Sequence, residues 1–383
     1  MAAPMRRKSW RLDAEALGAL IEALIKQGYV VYGPQASDHA LHWRRITGLA
    51  DLPRGWTQDL APGRARLEPD GGDALFHYWM CAEGLKAVLH LPQVRVMAAR
   101  RENGAFRILD NPPPAEKCAF VGVRACDVAA LFILDRVLLG DRYADEIYRA
   151  RREKAFVVAV HCTASAPTCF CASLGTGPRA RSGFDIALAE LTEGEAPEYF
   201  AEAGTAAGMD LLDKIGAHPA PPELARSVEQ ACSRAAAAQK RRVDAHAAPQ
   251  IIDALFDSPH WERVAKRCLA CGNCTSVCPT CFCVNYEDRT SLDGQEAERW
   301  RVWDSCFTQN FTYIHGGSVR ASVKSRYRQW LSHKLARWQA QFGTPGCTGC
   351  GRCIAWCPVG IDITEEFQAL QASAAAAVLP GKE

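Results

Sequence analysis

No run of eighteen apolar residues occurs anywhere in the 383-residue sequence, so no ordinary membrane-spanning helix is expected. A secretory signal core is missing too. Arg6, Arg7 and Lys8 open a basic stretch, but Arg11, Asp13 and Glu15 interrupt the residues after it, and a cytoplasmic location is expected. Net charge is equally scarce: at +2, nothing global draws the chain to nucleic acid or to an anionic membrane. Nucleotide fingerprints are absent as well. Gly175-Thr-Gly177-Pro-Arg-Ala-Arg-Ser-Gly183 has the wrong glycine spacing and carries Pro178, and no Walker-type lysine follows, so no nicotinamide or flavin site is expected in this chain.

Cysteine is the residue in excess, with eighteen copies in a chain that is 48% hydrophobic. A protein of this length buries a core without covalent staples, and in a reducing compartment clustered cysteine signals metal rather than disulfide. Cys268-x2-Cys271-x2-Cys274-x3-Cys278-Pro279 recurs as Cys347-x2-Cys350-x2-Cys353-x3-Cys357-Pro358, the bacterial two-cluster ferredoxin run written twice. Three cysteines at two-residue intervals wrap one cubane, with Gly272, Gly349 and Gly351 keeping the backbone close to sulfur. The fourth cysteine of each run ligates the other cluster. This assigns Cys268, Cys271, Cys274 and Cys357 to one 4Fe–4S cluster, and Cys347, Cys350, Cys353 and Cys278 to a second. Zinc is the competing reading of paired Cys-x2-Cys, but the doubled x2, x2, x3 spacing with a trailing proline favours iron–sulfur.

Upstream, helical periodicity over Leu12–Gln27 precedes a strand at Tyr29–Tyr32. A strand from Cys118, helices at Asp127–Leu139 and Ala144–Arg152 and a strand at Ala155–Val160 imply a parallel pair. The expected fold is mixed α+β or α/β: an α/β domain over 1–216, a largely solvated helical linker over 217–250, and a mostly helical domain over 251–383 holding a two-cluster ferredoxin-like core. Pro249–Arg267 reads as an amphipathic helix, and the domain carries a long helical insertion at about 284–346. Cys126, Cys162, Cys169 and Cys171 fall at one edge of the parallel sheet, which admits either a third iron–sulfur cluster or four buried thiols. His161 beside them reads as a structural or supporting residue rather than a ligand. Cys281, Cys283 and Cys306 stay open between ligand and core packing, and Cys81, Cys118 and Cys232 stand alone. The basic stretch Val319–Arg337, with Arg320, Lys324, Arg326, Arg328, Lys334 and Arg337, reads either as a solvated, cluster-screening face or as a dock for an acidic redox partner.

The stretches Cys268-Leu-Ala-Cys-Gly-Asn-Cys-Thr-Ser-Val-Cys-Pro-Thr-Cys-Phe-Cys283, Trp303-Asp-Ser-Cys306, Arg326-Tyr-Arg-Gln-Trp-Leu-Ser-His-Lys334 and Cys347–Pro358 resemble the iron–sulfur beta subunit of cytosolic sulfhydrogenases and NAD(P)-linked nickel–iron hydrogenases, and the related A subunit of anaerobic sulfite reductase. Gly122-Val-Arg-Ala-Cys-Asp127 extends the resemblance toward the N-terminus. The resemblance implies an electron-transfer subunit relaying electrons between a flavin-containing NAD(P)H or ferredoxin-linked subunit and a hydrogenase or reductase subunit, with no substrate site of its own. An autonomous reductase of sulfur compounds, working at the N-terminal cysteines, is the alternative.

Overall fold

The computed structural model describes residues 8–109, 116–140, 142–194 and 197–378; Arg6 and Arg7 lie outside them. The strands that matter run, in chain order, β1 (Ser9–Leu12), β2 (Val30–Ser37), β3 (Ala40–Arg45), β4 (Trp56–Ala61), β5 (Arg64–Pro69), β6 (Gln93–Glu102), β7 (Ala105–Leu109), β8 (Cys118–Arg124), β9 (Phe156–Val160), β10 (Ile186–Leu191), β11 (Glu198–Ala203), β12 (His218–Pro219), β13 (Val284–Thr290) and β14 (Glu296–Trp303).

Eight of them form one mixed sheet in the order β12-β1-β11-β10-β9-β8-β2-β3. Its centre is parallel, β2 with β8, β8 with β9 and β9 with β10. All seven residues of β8 and all five of β9 are buried, as strands covered on both faces must be. The helices Ala125–Leu138 and Glu146–Arg152 make the crossover between β8 and β9, as the strand, helix, strand pattern predicts. The helix Ala14–Lys26 starts where the Asp13 carboxylate accepts the Ala16 N–H at 2.9 Å, and it buries Leu17, Leu20, Ile21 and Leu24.

Three expectations need correction. The helix after Pro221, Pro222–Ala237, is no solvated tether: Leu224, Val228 and Cys232 pack on Phe200 of β11, so an apolar stripe holds it on the sheet. Pro249–Arg267 is two short helices, Ala248–Ala254 and His260–Ala265, separated by the Asp257-Ser-Pro259 turn. The insertion expected to be helical over about 284–346 begins as a β-hairpin. β14 of that hairpin pairs antiparallel with β6, giving a four-stranded sheet β13-β14-β6-β7. Helix resumes at Val323–Ser332 and passes through a π-helical turn, His333–Arg337, into Trp338–Phe342. Among the described residues no helix is long and apolar enough to cross a membrane.

Candidate metal centre

The two cysteine runs fold as copies of one loop. Ala270 and Gly272 in the first take φ of 52° and 75°, and Gly349 and Gly351 at the same places in the second take 64° and 78°. Left-handed residues at these points turn backbone N–H groups toward sulfur. The N–H of Ala270 donates to Cys268 Sγ, and that of Gly349 to Cys347 Sγ, each at 3.4 Å. A single helical turn follows each loop, Asn273–Ser276 and Arg352–Ala355. At Gly349 a side chain is also sterically barred, because a Cβ there would lie 2.6 Å from the backbone nitrogen of Cys171.

Two cavities result. One is lined by Cys268, Cys271, Cys274 and Cys357 together with Leu269, Val359 and Ile361. The other is lined by Cys278, Cys347, Cys350 and Cys353 with Phe170 and Ile363. Each thus has three cysteines of one run and the fourth cysteine of the other on its wall. Trp330 and Cys353 lie on the walls of both, so the cavities are neighbours. The first is near the surface, where Cys271 is exposed and Leu269 is 64% exposed.

The side chains fit an iron–sulfur group. Burial pushes the Cys347 thiol up to about 12, and the Cys274 and Cys353 thiols well above their usual value. A bound metal would displace the protons of such thiols, releasing them to solvent and leaving thiolate ligands. Trp330, on the wall of both cavities, carries a buried indole N–H with no acceptor among the described residues. Cluster sulfur would satisfy that donor. A single zinc ion fits less well, because among the described residues no three His, Cys, Asp or Glu side chains converge as one ion requires.

Positive charge is built in at Cys278. The Lys334 ammonium, 4% exposed, donates to Cys278 Sγ at 3.3 Å and to Thr280 Oγ1 at 2.6 Å. A hydrogen bond from the Cys281 thiol and the charge of Lys334 hold the Cys278 thiol well below its usual value. Lys334 belongs to the basic stretch expected to be solvated, cluster-screening or partner-docking, and its contact with Cys278 Sγ fits the cluster-screening alternative; its burial has no local signal in the sequence beyond the neighbouring Trp330 and Trp338. Most of that stretch is turned inward or paired. Arg326 is buried and donates to the Phe307 carbonyl at 2.8 Å. Lys324, Arg328 and Arg337 pair with Glu262, Asp257 and Asp253, so most of the charge expected to dock a partner is spent within the chain.

The N-terminal cysteines are spread around the second loop. Cys126 and Cys171 pack directly on Cys350, and Gln239 donates to Cys171 Sγ at 3.2 Å. Cys169 packs beside Leu60, Met80 and Ala355. Cys162 faces a separate cavity with His161, Arg124 and Glu190. The His161 ring there accepts the Ala180 N–H at 3.2 Å and reaches Glu202 at 3.3 Å, a structural tie between β9 and β11. The loop carrying Cys169 and Cys171 is also the seat of the second cysteine run: Phe170 N–H donates to the Gly349 carbonyl at 2.9 Å and Thr176 Oγ1 to the Thr348 carbonyl at 2.7 Å. Sequence reasoning missed Arg352, the residue that locks this seat. Wholly buried, it makes two 2.8 Å bonds to Asp127 and donates to the Cys81 carbonyl at 2.8 Å.

Residues 267–361 match a family model described as a 4Fe-4S dicluster domain, which means two 4Fe–4S clusters. Over 255 residues the chain is 34% identical to the sulfhydrogenase 2 subunit beta of Pyrococcus furiosus, an alignment covering 64% of this chain and 72% of that protein. No solved structure matches the chain.

Proposed function

The chain belongs to the iron–sulfur beta-subunit family of sulfhydrogenases, and from that membership we propose that it relays electrons between partner subunits and does no substrate chemistry itself. Cys268, Cys271, Cys274 and Cys357 hold one cluster, Cys347, Cys350, Cys353 and Cys278 the other, in a ferredoxin-like core set against an α/β domain. When bound, each cluster supplies one-electron exchange without breaking a bond. The observation that carries the reading is the shared wall between the two cavities, formed by Trp330 and Cys353.

The chain's own residues shape that path. Apolar side chains keep water from the second cavity, and Lys334 favours the more negative, reduced charge state beside Cys278. At the other end, exposed Cys271, Leu269 and Val359 mark the face where a redox partner docks. On this reading one partner is a flavin-containing NAD(P)H or ferredoxin-linked subunit and the other a hydrogenase or sulfur-reducing subunit. The test uses the purified full chain with an artificial electron donor. It should take up electrons into its clusters and pass them to a soluble one-electron acceptor, with no steady turnover of sulfite or polysulfide. Sustained reduction of either compound by the chain alone would overturn the relay reading.

A further inference from the structure

Six cysteines remain outside both four-thiol cavities and the N-terminal group, and three of them, Cys281, Cys283 and Cys306, line one further cavity. Cys281 and Cys283 sit on the loop after the first run, and Cys306 follows β14. The Asp304 N–H donates to the Cys283 carbonyl at 2.9 Å, fastening the two segments. All three residues line a third cavity, which shares Trp330 and Lys334 with the cavity at Cys278. The remaining imidazole, thiol or carboxylate on its wall is His333. This residue opens the π-helical turn His333–Arg337, a rare irregularity that gathers at functional sites. Its ring packs between Phe282, at 6.2 Å, and Trp338, at 5.3 Å.

Two further observations point to an anionic, sulfur-rich occupant. Trp338 lines this cavity, is 2% exposed and carries an indole N–H with no acceptor among the described residues. Charge is also out of balance. Lys86, 3% exposed, donates among the described residues to the carbonyls of Thr275, at 3.1 Å, and Cys281, at 3.3 Å, and lies over the Trp303 ring. With Lys334 it makes two buried ammoniums, and among the described residues neither has a carboxylate partner. Buried cations without counter-charge are strongly disfavoured. The thiolates proposed around Cys278 answer one of them, and the other needs negative charge on the Cys281 side.

We propose that Cys281, Cys283, Cys306 and His333 hold a third iron–sulfur cluster, of the four-iron class, beside the cluster at Cys278. The proposal rests on the two-cluster reading above. Its site exchanges one electron with its neighbour and makes or breaks no bond.

The test is iron and acid-labile sulfide per chain, with EPR of the reduced form, on full-length protein reconstituted without oxygen. Wild type should hold about twelve irons, and a Cys283→Ser/Cys306→Ser variant about eight. His333→Cys should keep about twelve irons and alter the EPR spectrum of the reduced form; an unchanged spectrum removes His333 from the site. About eight irons in wild type, unchanged in the double variant, would overturn the third site, as would about twelve in both, which would move the extra cluster to other cysteines. Cys271→Ser separates the two readings. If it leaves the iron count untouched, the two-cluster assignment itself fails; if it lowers the count while the double variant does not, only the third site fails.

Discussion

Lys334 shows how one side chain sets the character of the site. A buried ammonium at 3.3 Å from Cys278 Sγ stabilises whichever cluster state carries more negative charge, which is the reduced one. Lys334→Met, nearly matched in length, should therefore lower the potential of the cluster at Cys278 by several tens of millivolts, where about 59 mV is a tenfold change for one electron. A redox titration followed by EPR reads the shift, and an unchanged potential would remove Lys334 from the electrostatics. The fixed spacing of the cysteines that line the two cavities was visible in the sequence. Lys334, Lys86 and Arg352 were not, because the burial of a charged side chain depends on partners far along the chain and leaves no local pattern.

Secondary-structure elements bring those partners together. The sheet helix starting at Ala125 carries Asp127, and the short helix Arg352–Ala355 follows the second cysteine loop, 225 residues on. Their buried ion pair fixes the loop to the sheet edge. Asp127→Asn should leave Arg352 as an uncompensated buried charge and cost about 3–5 kcal/mol. Chemical denaturation would show it as a lowered midpoint, with the cluster absorbance lost in the same transition. A variant as stable as wild type would mean that the pair does not join the halves. Parallel strands β8, β9 and β10 were legible from their apolar runs and the helices between them. The hairpin β13–β14 was not. Its partner β6 lies about two hundred residues upstream, with Arg100 paired to Glu296 across the ladder, and no local periodicity encodes a pairing so distant.

At the scale of the molecule, an N-terminal sheet and a cysteine-rich C-terminal region share one seam. The loop at Cys169–Cys171 receives the second cysteine run, and the N-terminal strand β6 extends the C-terminal hairpin into a sheet. Such a body is suited to holding redox centres at fixed separation, buried at one end and near the surface at Cys271. The chain belongs to the family of sulfhydrogenase beta subunits, and the adjoining cavities are the ground on which a relay is proposed. The most direct measurement is the EPR spectrum of the fully reduced full-length chain. Neighbouring paramagnetic clusters predict a broad, spin-coupled signal that sharpens when Cys350→Ala disturbs the second cavity. A sharp spectrum from isolated clusters in the fully loaded wild type would contradict the relay.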